Sequence, residues 1–388
     1  MNQRVFFYVQ HLLGIGHLRR AATLARGLAS QGFDVLLVSG GAPVPGLDLA
    51  GVRLRQLPPL RARDEGLREL SLLDGSEPDD AFYAARTLSL TSLLQAEAPD
   101  IVITEQFPFG RTRLRFELLP MLNAAKMLAK RPRVFASVRD VLRDTVSDAR
   151  VAETLEIFDE HFDGVLVHAD PGLIALDRSF RGWERLGDRV RYTGYIAESD
   201  LAPGGLEKRG RQGRGEVIVS VGGGAVGAPL LRTALAARPL TSLKDRTWRL
   251  LLGGNLDPAE AEALRLKAST GMPGNVIVEP ARADFVTLLA NATLSISQAG
   301  YNTVVETLAS ADRAVLVPFA TDRETEQTIR ARAVVDRGGV QMVAGDAIDG
   351  PLLAAAIERA LTGPSLRSRP KLDVNGVAAT AAFLKGLS

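Results

Sequence analysis

Short aliphatic runs alternate along the whole chain with longer segments in which apolar residues recur at helical spacing. The runs are apolar at every position, which is typical of parallel strands buried on both faces of a sheet. Between the first two runs, Leu18, Ala21, Ala25 and Leu28 share one helical face, and Gly32 follows them. We therefore expect an α-helix between two parallel strands at the start of the chain.

The same alternation of strand and helix repeats in both halves of the chain. In the first half, strands are predicted near residues 4–9, 33–38, 52–57, 100–104, 133–138, 164–168 and 189–193. In the second half, they are predicted near residues 216–221, 248–252, 276–278, 293–297, 314–318 and 340–343. This repetition predicts an α/β fold made of two doubly wound, Rossmann-like domains.

A stretch rich in glycine and charge, residues 198–215, separates the two halves and is predicted to be a linker. We expect an N-terminal domain over residues 1–197 and a C-terminal domain over residues 216–370. The last residues, 371–388, are predicted to form a helix that packs back on the N-terminal domain. Residues 58–80 lack periodicity and are predicted to be a long loop between α/β units.

Composition narrows the classes of function. The chain has 47 Lys and Arg against 45 Asp and Glu, a net charge of +2, which gives no indication of nucleic acid binding. It has no cysteine and only four histidines, so we expect neither thiolate chemistry nor a metal site. No apolar stretch approaches the ~18 residues of a membrane span, and no signal peptide is evident, which indicates a cytoplasmic protein.

A glycine-containing turn follows the first predicted strand and includes Gly14, Gly16 and His17. Glycine lets a ligand approach the backbone, and the N-terminus of the following helix offers amides to an anion. We expect Gly14 and Gly16 to border a ligand site in which His17 is a general base. The alternative is that His17 only satisfies the helix terminus.

A second glycine run, Gly222, Gly223 and Gly224, follows the strand predicted at 216–221 and forms a G-x-G-x-x-G pattern with Gly227. No acidic residue ends the next strand, where a dinucleotide-binding protein would bind the ribose, so an NAD-dependent dehydrogenase is disfavoured. Two interpretations stay open. The loop either holds a diphosphate at a helix N-terminus or is a tight turn without a ligand.

The most informative segment is S-Q-A-G-Y-N-T-V-V-E, residues 297–306, where a predicted strand ends and a helix begins. Asn302 and Thr303 fall in the first turn of that helix. Glu306 lies one turn further on, where its carboxylate can accept hydrogen bonds from vicinal hydroxyls such as those of a ribose. The alternative is a capping box, with Thr303 as the cap and Glu306 folded back onto it.

This segment resembles the donor signature of the GT-B glycosyltransferases, which is H-C-G-W-N-S-x-x-E in the plant and microbial UDP-glycosyltransferases. In the family 28 UDP-N-acetylglucosamine transferases that form lipid II it is R-S-G-A-x-x-x-x-E. The N-terminal G-I-G-H-L-R-R is similar to the G-x-G-G-H loop of that second family, and R-Y-T-G-Y (191–195) is similar to its T-G-N-P segment. V-P-F-A-T-D-R-E-T-E-Q (317–327) is similar to the segment that ends in D-Q or Q-Q. The resemblance implies two domains that face each other across a cleft.

The resemblance also implies a role for each matching residue. Glu306 would bind the donor ribose, and the backbone around Ala281 and Arg282 would contact the base. Glu326 and Gln327 would hold sugar hydroxyls. His17 would lie near the reacting acceptor hydroxyl, with Gly14 and Gly16 on the acceptor side. Five residues would contact the diphosphate: Gly222, Gly223, Gly224, Gly300 and Tyr301. The other donor-site residues would be Gln298, Asn302 and Thr303. Gln298 occupies the position where the UDP-glycosyltransferases carry histidine.

Together these expectations describe a metal-independent, inverting glycosyltransferase without a cofactor. It would move a sugar from a nucleoside-diphosphate donor, UDP-linked by the resemblance, to an unidentified acceptor. Glu105, just beyond the strand predicted at 100–104, would orient His17; the alternative is a surface carboxylate. A nucleotide-sugar hydrolase or epimerase, or a non-catalytic module that binds a nucleotide or glycan, are the other possibilities on this fold.

Residues 111–133 combine basic side chains with leucine, methionine and phenylalanine. A helix of this kind can dock on an anionic membrane surface, here the inner face, as in relatives that glycosylate lipids. The alternative is an ordinary amphipathic helix with a solvated basic face.

Overall fold

The computed structural model describes residues 2–12, 14–63, 69–142, 147–197, 210–222, 227–254, 256–271, 275–319, 325–345 and 348–387. The chain divides into two compact units. The N-terminal unit contains Met1–Pro171, Ala175–Ile196 and Asn375–Ser388, and the C-terminal unit contains Gly172–Ile174 and Ala197–Val374. The end of the chain therefore belongs to the N-terminal unit.

A parallel sheet of seven described strands forms the centre of the N-terminal unit. Its strands, in chain order, are β1 (Arg4–Val9), β2 (Asp34–Ser39), β3 (Arg53–Gln56), β6 (Ile101–Glu105), β7 (Arg133–Val138), β8 (Gly164–Val167) and β9 (Val190–Tyr192). They lie side by side in the order β3-β2-β1-β6-β7-β8-β9. Because the order reverses direction at β1, the sheet is doubly wound, and its carboxyl edge at β1 and β6 is where such sheets place ligands.

Helices cover both faces of this sheet. They are α1 (Gly16–Ser30), α2 (Asp80–Glu97), α3 (Arg115–Lys126), α4 (Asp148–His161), the single turn α5 (Trp183–Leu186) and, from the end of the chain, α12 (Gly376–Lys385). Helix α12 packs on α1 so closely that Val377 occupies the space a Cβ atom at Gly27 would need.

The C-terminal unit repeats this plan with six described strands. They are β10 (Val217–Ser220), β11 (Trp248–Leu252), β12 (Val276–Pro280), β13 (Leu294–Ser297), β14 (Ala314–Leu316) and β15 (Val340–Met342), in the sheet order β12-β11-β10-β13-β14-β15. Its helices are α6 (Ala228–Ala237), α7 (Pro258–Gly271), α8 (Phe285–Asn291), α9 (Tyr301–Ser310), α10 (Glu326–Arg337) and α11 (Gly350–Thr362). The predicted α/β class with two doubly wound, Rossmann-like domains is confirmed.

Separate apolar cores cover the two faces of the C-terminal sheet. Val217 and Val219 point into one core, whereas Ile218, between them on β10, points into the other. Successive side chains of a strand face opposite sides, so a strand buried on both faces needs apolar residues at every position. This is why the continuous aliphatic runs predicted the strands correctly.

The structure differs from the predicted long loop at residues 58–80. Two short strands, β4 (Arg61–Ala62) and β5 (Leu70–Ser71), pair antiparallel within it. Two residues per strand are too few to produce a periodic pattern, so the sequence carried no signal for this hairpin. In the predicted linker, residues 198–209 lie outside the described residues.

A buried ion pair joins the elements beneath the carboxyl edge of the N-terminal sheet. Arg86 of α2 and Glu117 of α3 are both excluded from solvent, and Arg86 Nε donates to Glu117 Oε2 at 2.6 Å. Tyr8 of β1 donates to Glu117 Oε1 at 2.5 Å, and Arg86 also donates to Gln10 Oε1 at 2.8 Å and to the Gly40 carbonyl at 3.1 Å. The pair therefore ties two helices to the loops that follow β1 and β2.

Replacing Arg86 with methionine leaves the Glu117 carboxylate buried without its cation. We expect the free energy of unfolding to fall by about 3–5 kcal/mol, measured by urea denaturation. The matched control is Arg53→Met, which breaks an exposed pair with Glu97 and should cost less than about 1 kcal/mol. Equal losses in the two variants would contradict the structural role of the buried pair.

Candidate functional site

His17 and Glu105 come together at the carboxyl edge of the N-terminal sheet. Glu105 is the last residue of β6, and His17 lies in the first turn of α1, the helix that follows β1. His17 Nδ1 lies 2.8 Å from Glu105 Oε1. This contact favours the predicted pair over the alternative that His17 only satisfies the helix terminus.

Glu105 is buried rather than exposed, so the alternative of a surface carboxylate is wrong. Its side chain is 0% exposed, and it accepts hydrogen bonds from three groups. Arg20, one turn along α1 from His17, donates to Oε1, and Ser137 of β7 donates to Oε2 at 2.9 Å. A buried carboxylate needs this kind of compensation, because an unpaired charge is costly to remove from water.

The carboxylate determines which nitrogen of His17 carries the proton. An ionised carboxylate only accepts hydrogen bonds, so Nδ1 is the protonated nitrogen of the neutral ring. Burial lowers the pKa of His17 well below its ordinary value, and the nearby guanidinium groups of Arg139, Arg111 and Arg20 lower it further. The imidazole is therefore neutral at pH 7, and its Nε2 lone pair can accept a proton.

Gly14 and Gly16 lie on the exposed side of the same turn. No heavy atom lies within 4 Å of a Cβ built on either glycine, so packing within the described chain does not require glycine there. Their place on the acceptor side stays a prediction.

In the C-terminal unit, the loop after β10 approaches the start of α9. Gly222 has a φ of +64°, a conformation that favours glycine. A Cβ on Gly222 would lie 3.6 Å from Thr303 Oγ1, and one on Gly300 would lie 3.9 Å from the same atom. The predicted diphosphate residues Gly223 and Gly224 lie outside the described residues.

Helix α9 begins without a side-chain cap. Its N-cap is Gly300, and Thr303 is the third residue of the helix rather than the cap. The capping-box alternative, with Thr303 as cap, is therefore wrong. An uncapped helix N-terminus beside a glycine turn presents amides that suit an anion such as a diphosphate.

Glu306 lies one helical turn beyond Thr303 and is half-buried, as is Asn302, whereas Tyr301 is buried at the helix start. Gln298 is 8% exposed, and its backbone amide donates to the carbonyl of Ser220 at the end of β10. The segment that carries the predicted donor signature thus lies at the carboxyl edge, directly beside the loop that contains Gly222.

The side-chain oxygen of Gln327 already accepts hydrogen bonds from two loops of the protein. Its Oε1 accepts hydrogen bonds from the amides of Ala299 and Phe319, both at 3.0 Å, and so links the loops after β13 and β14. Within the described residues, its amide nitrogen is the group that remains for the predicted contact with a sugar hydroxyl. Glu326 pairs with Arg330 at 2.6 Å.

Arg330 is a residue that the sequence interpretation missed. It is wholly buried, donates to the Ala299 carbonyl at 2.8 Å, and lies over the ring of Tyr301. It therefore holds both Glu326 and the loop that carries the donor signature. The spacing of four residues between Glu326 and Arg330 on a helix was the available signal.

The predicted base-contacting residues are also engaged within the chain. The Ala281 amide donates to the carbonyl of Leu252 at 3.0 Å. Arg282 holds Asp284 through two hydrogen bonds of 2.7 and 2.8 Å. Any contact of Ala281 with a base therefore has to use its carbonyl oxygen rather than its amide.

The basic segment at residues 111–133 is largely neutralised by carboxylates. Ion pairs join Arg115 to Glu153, Lys126 to Glu160, Lys130 to Asp100 and Arg133 to Asp163. This pairing favours the amphipathic helix with a solvated basic face, and membrane docking stays a prediction.

No helix among the described residues has the length and apolar character to cross a bilayer. Within the same described ranges, no three His, Asp or Glu side chains are grouped to hold a metal ion.

Solved structures similar to this chain include GT-B glycosyltransferases and a putative UDP-N-acetylglucosamine 2-epimerase of Listeria monocytogenes (TM-score 0.62, 13% identity, covering 100% of this chain and 96% of that one). The calicheamicin glycosyltransferase CalG4 aligns with a TM-score of 0.64 and 15% identity, covering 100% of this chain and 98% of that protein. MurG of Acinetobacter baumannii aligns with a TM-score of 0.63 and 18% identity, covering 99% of each chain. The fold is the GT-B fold.

Sequence comparison identifies the C-terminal part more closely. Residues 218–378 match the family model of the glycosyltransferase family 28 C-terminal domain. A curated relative in Paramagnetospirillum magneticum, a UDP-N-acetylglucosamine–N-acetylmuramyl-(pentapeptide) pyrophosphoryl-undecaprenol N-acetylglucosamine transferase, is 27% identical over 194 residues, 50% of this chain. The aligned part spans about half of the curated relatives it matches, 52% of this one and 42% of the same-named enzyme in Xanthomonas euvesicatoria.

Proposed function

We propose that this protein is a glycosyltransferase that moves a sugar from a UDP-sugar to an acceptor nucleophile, with inversion and without a metal or other cofactor. The observation that carries the proposal is the hydrogen bond between the partly exposed His17 and the buried Glu105, which leaves Nε2 of a neutral imidazole able to take a proton. A base of this kind is what an acceptor hydroxyl needs to become a nucleophile. A module that only binds a nucleotide has no need of it.

The C-terminal unit supplies the donor half of the proposal. The uncapped N-terminus of α9, together with Gly222 and Gly300, would receive the diphosphate. Glu306 would accept hydrogen bonds from the ribose hydroxyls, and Gln327 would donate to the sugar. The family 28 match of residues 218–378 and the printed names of the relatives support a UDP-linked donor.

In the proposed reaction the acceptor oxygen forms a bond to the anomeric carbon of the donor while its proton moves to His17 Nε2. The bond from that carbon to the diphosphate oxygen breaks, and UDP leaves. Glu105 stabilises the imidazolium that forms, since its carboxylate already accepts the Nδ1 proton. The charge that develops on UDP is met by helix and loop amides, which is why we propose that no metal is required.

The direct test is to incubate the protein with UDP-N-acetylglucosamine, UDP-glucose and a panel of alcohol, phenol and lipid-linked saccharide acceptors. A glycosylated product, detected by mass spectrometry and unaffected by EDTA, supports transfer. Incubation with the nucleotide sugar alone separates the rivals. Rapid sugar release would show a hydrolase, a new sugar epimer would show an epimerase, and either would replace the proposed function.

His17→Ala removes the proposed base. We expect turnover with the accepted substrate to fall by roughly 10²–10⁴-fold while the dissociation constant for UDP stays the same. In the wild type, kcat/KM should stay high as the pH falls through the ordinary histidine value of ~6.5 and decline only below it, because the pKa of His17 is lowered. Arg26→Ala, two turns along α1 at a pair with Asp48, is the control and should keep wild-type turnover. Near-normal turnover in His17→Ala would remove His17 from the mechanism.

Glu306→Gln keeps the shape of the side chain and removes its charge. A hydrogen bond to a charged group is worth ~1.5–3 kcal/mol, so we expect the dissociation constant for UDP to rise by roughly 10–100-fold in isothermal titration calorimetry. Glu262→Gln on α7, an exposed glutamate in the same unit, should leave it unchanged. If UDP bound equally well to both variants, Glu306 would not be the ribose ligand.

A further inference from the structure

The carboxyl edge of the N-terminal sheet carries a row of polar side chains that extends beyond Glu105. Strands β6, β7, β8 and β9 lie side by side in that order. Glu105 ends β6 and lies in register with Ser137 of β7, while His168 directly follows β8 and Thr193 directly follows β9. Each of the four neighbouring strands thus contributes one polar residue at its end.

These residues form a continuous hydrogen-bonded chain. Ser137 Oγ lies 2.9 Å from Glu105 Oε2, His168 Nε2 lies 3.1 Å from Ser137 Oγ, and Thr193 Oγ1 lies 2.8 Å from His168 Nδ1. All four side chains belong to residues that are at most 2% exposed. Buried polar groups arranged in this way are costly unless each one is satisfied, so the order of donors and acceptors is constrained.

The direction of each hydrogen bond in this series follows from which groups carry a proton to donate. Glu105 can only accept, so the single proton of Ser137 is donated to Glu105, and His168 Nε2 must donate to Ser137. Burial lowers the pKa of His168 to about 3, so the ring is neutral and its Nδ1 has to accept. The Thr193 hydroxyl therefore donates to Nδ1, although the Gly194 carbonyl at 3.1 Å is a second acceptor within reach.

We propose that Ser137 and His168 are positioning residues for His17: the chain that runs from Thr193 to Glu105 holds the carboxylate so that Oε1 faces Nδ1 of the imidazole. This inference rests on the proposed role of His17 as the base. The chain fixes Oε2 from the β7 side, while Arg20 and His17 engage Oε1 from the α1 side. Among the described residues, no hydrogen bond joins Ser137 or His168 directly to His17.

The chain also has an electrostatic consequence. Each of its hydrogen bonds points its proton toward Glu105, so the positive ends of the dipoles face the site and oppose protonation of His17. The other charged or titratable groups that act on His17 are Arg20, Arg111, Arg139 and His11, and they act in the same direction. Glu105 acts in the opposite direction, because its carboxylate lies 2.8 Å from His17 Nδ1.

The test measures the pKa of His17 from the chemical shift of its ring Cε1–H in an NMR titration of the full chain without substrate. Ser137→Ala removes the last donor of the chain, so we expect the pKa of His17 to rise by roughly half a unit or more. Ser39→Ala is the matched control. Ser39 ends β2 in the same sheet, is buried, and its Oγ has no hydrogen-bond partner among the described residues. The control should leave the pKa unchanged.

Two conservative variants test the direction of the chain. His168→Gln keeps a donor that can reach Ser137, whereas His168→Asn is too short to do so, so the pKa of His17 should rise in the asparagine variant and stay near wild type in the glutamine variant. An unchanged or lowered pKa in folded Ser137→Ala, or equal values in the two His168 variants, would overturn the proposal.

A kinetic readout separates this inference from the proposed function. Ser137→Ala should lower kcat by about 10–100-fold with the dissociation constant for UDP unchanged, since misplacing a reacting group by ~1 Å has an effect of this size. Equal losses of kcat in Ser137→Ala and Ser39→Ala would count against a positioning role. If the wild type transferred no sugar, the proposed function would fail, while the NMR titration would still decide whether the chain acts on His17.

Discussion

A carboxylate buried at the end of β6 is the constraint on which the N-terminal site depends. Glu105 has no contact with solvent, so its charge must be met by donors inside the protein. Those donors come from different elements, Arg20 and His17 from α1 and Ser137 from β7. The need to satisfy one buried charge therefore orients the imidazole, selects its tautomer and leaves Nε2 as its available nitrogen.

The two units use different chemical groups to stabilise negative charge at the edges of their sheets. In the N-terminal unit, side chains from α1 and β7 surround the buried side chain of Glu105. In the C-terminal unit, the groups at the sheet edge are an uncapped helix N-terminus and a glycine with a φ of +64°, which suit an anion that arrives with the substrate. Both sites lie at the carboxyl edges of parallel sheets, and the second lies within the family 28 match.

Much of the fold could be predicted from the sequence, because strands buried on both faces must be apolar at every position. The β4–β5 hairpin could not, since strands of two residues have no period. Glu105 was predicted to pair with His17, but its burial was not evident, because nothing in T-E-Q-F shows how many donors surround the carboxylate. Ser137 and His168 also lie at or near the ends of predicted strands, as Glu105 does. The hydrogen bond between them depends on which strands are neighbours in the sheet, and the sequence does not give this order directly.

In the C-terminal unit, the donor signature was evident as a local motif, and its position at the sheet edge follows from that. The supporting contacts of Gln327 and Arg330 depend on loops that are distant in sequence, so only the structure brings them together. For the same reason the two hydrogen bonds that occupy Gln327 Oε1 could not be predicted from the residues around it.

The most direct test of the account is the protonation state of the two ring nitrogens of His17 at pH 7, measured by long-range ¹H–¹⁵N correlation in histidine-labelled protein. With only four histidines in the chain, the His17 signals can be assigned by comparison with a His17 variant. We expect a neutral ring with the proton on Nδ1 and an unprotonated Nε2. A proton on Nε2 with a bare Nδ1, or a doubly protonated ring at this pH, would contradict it.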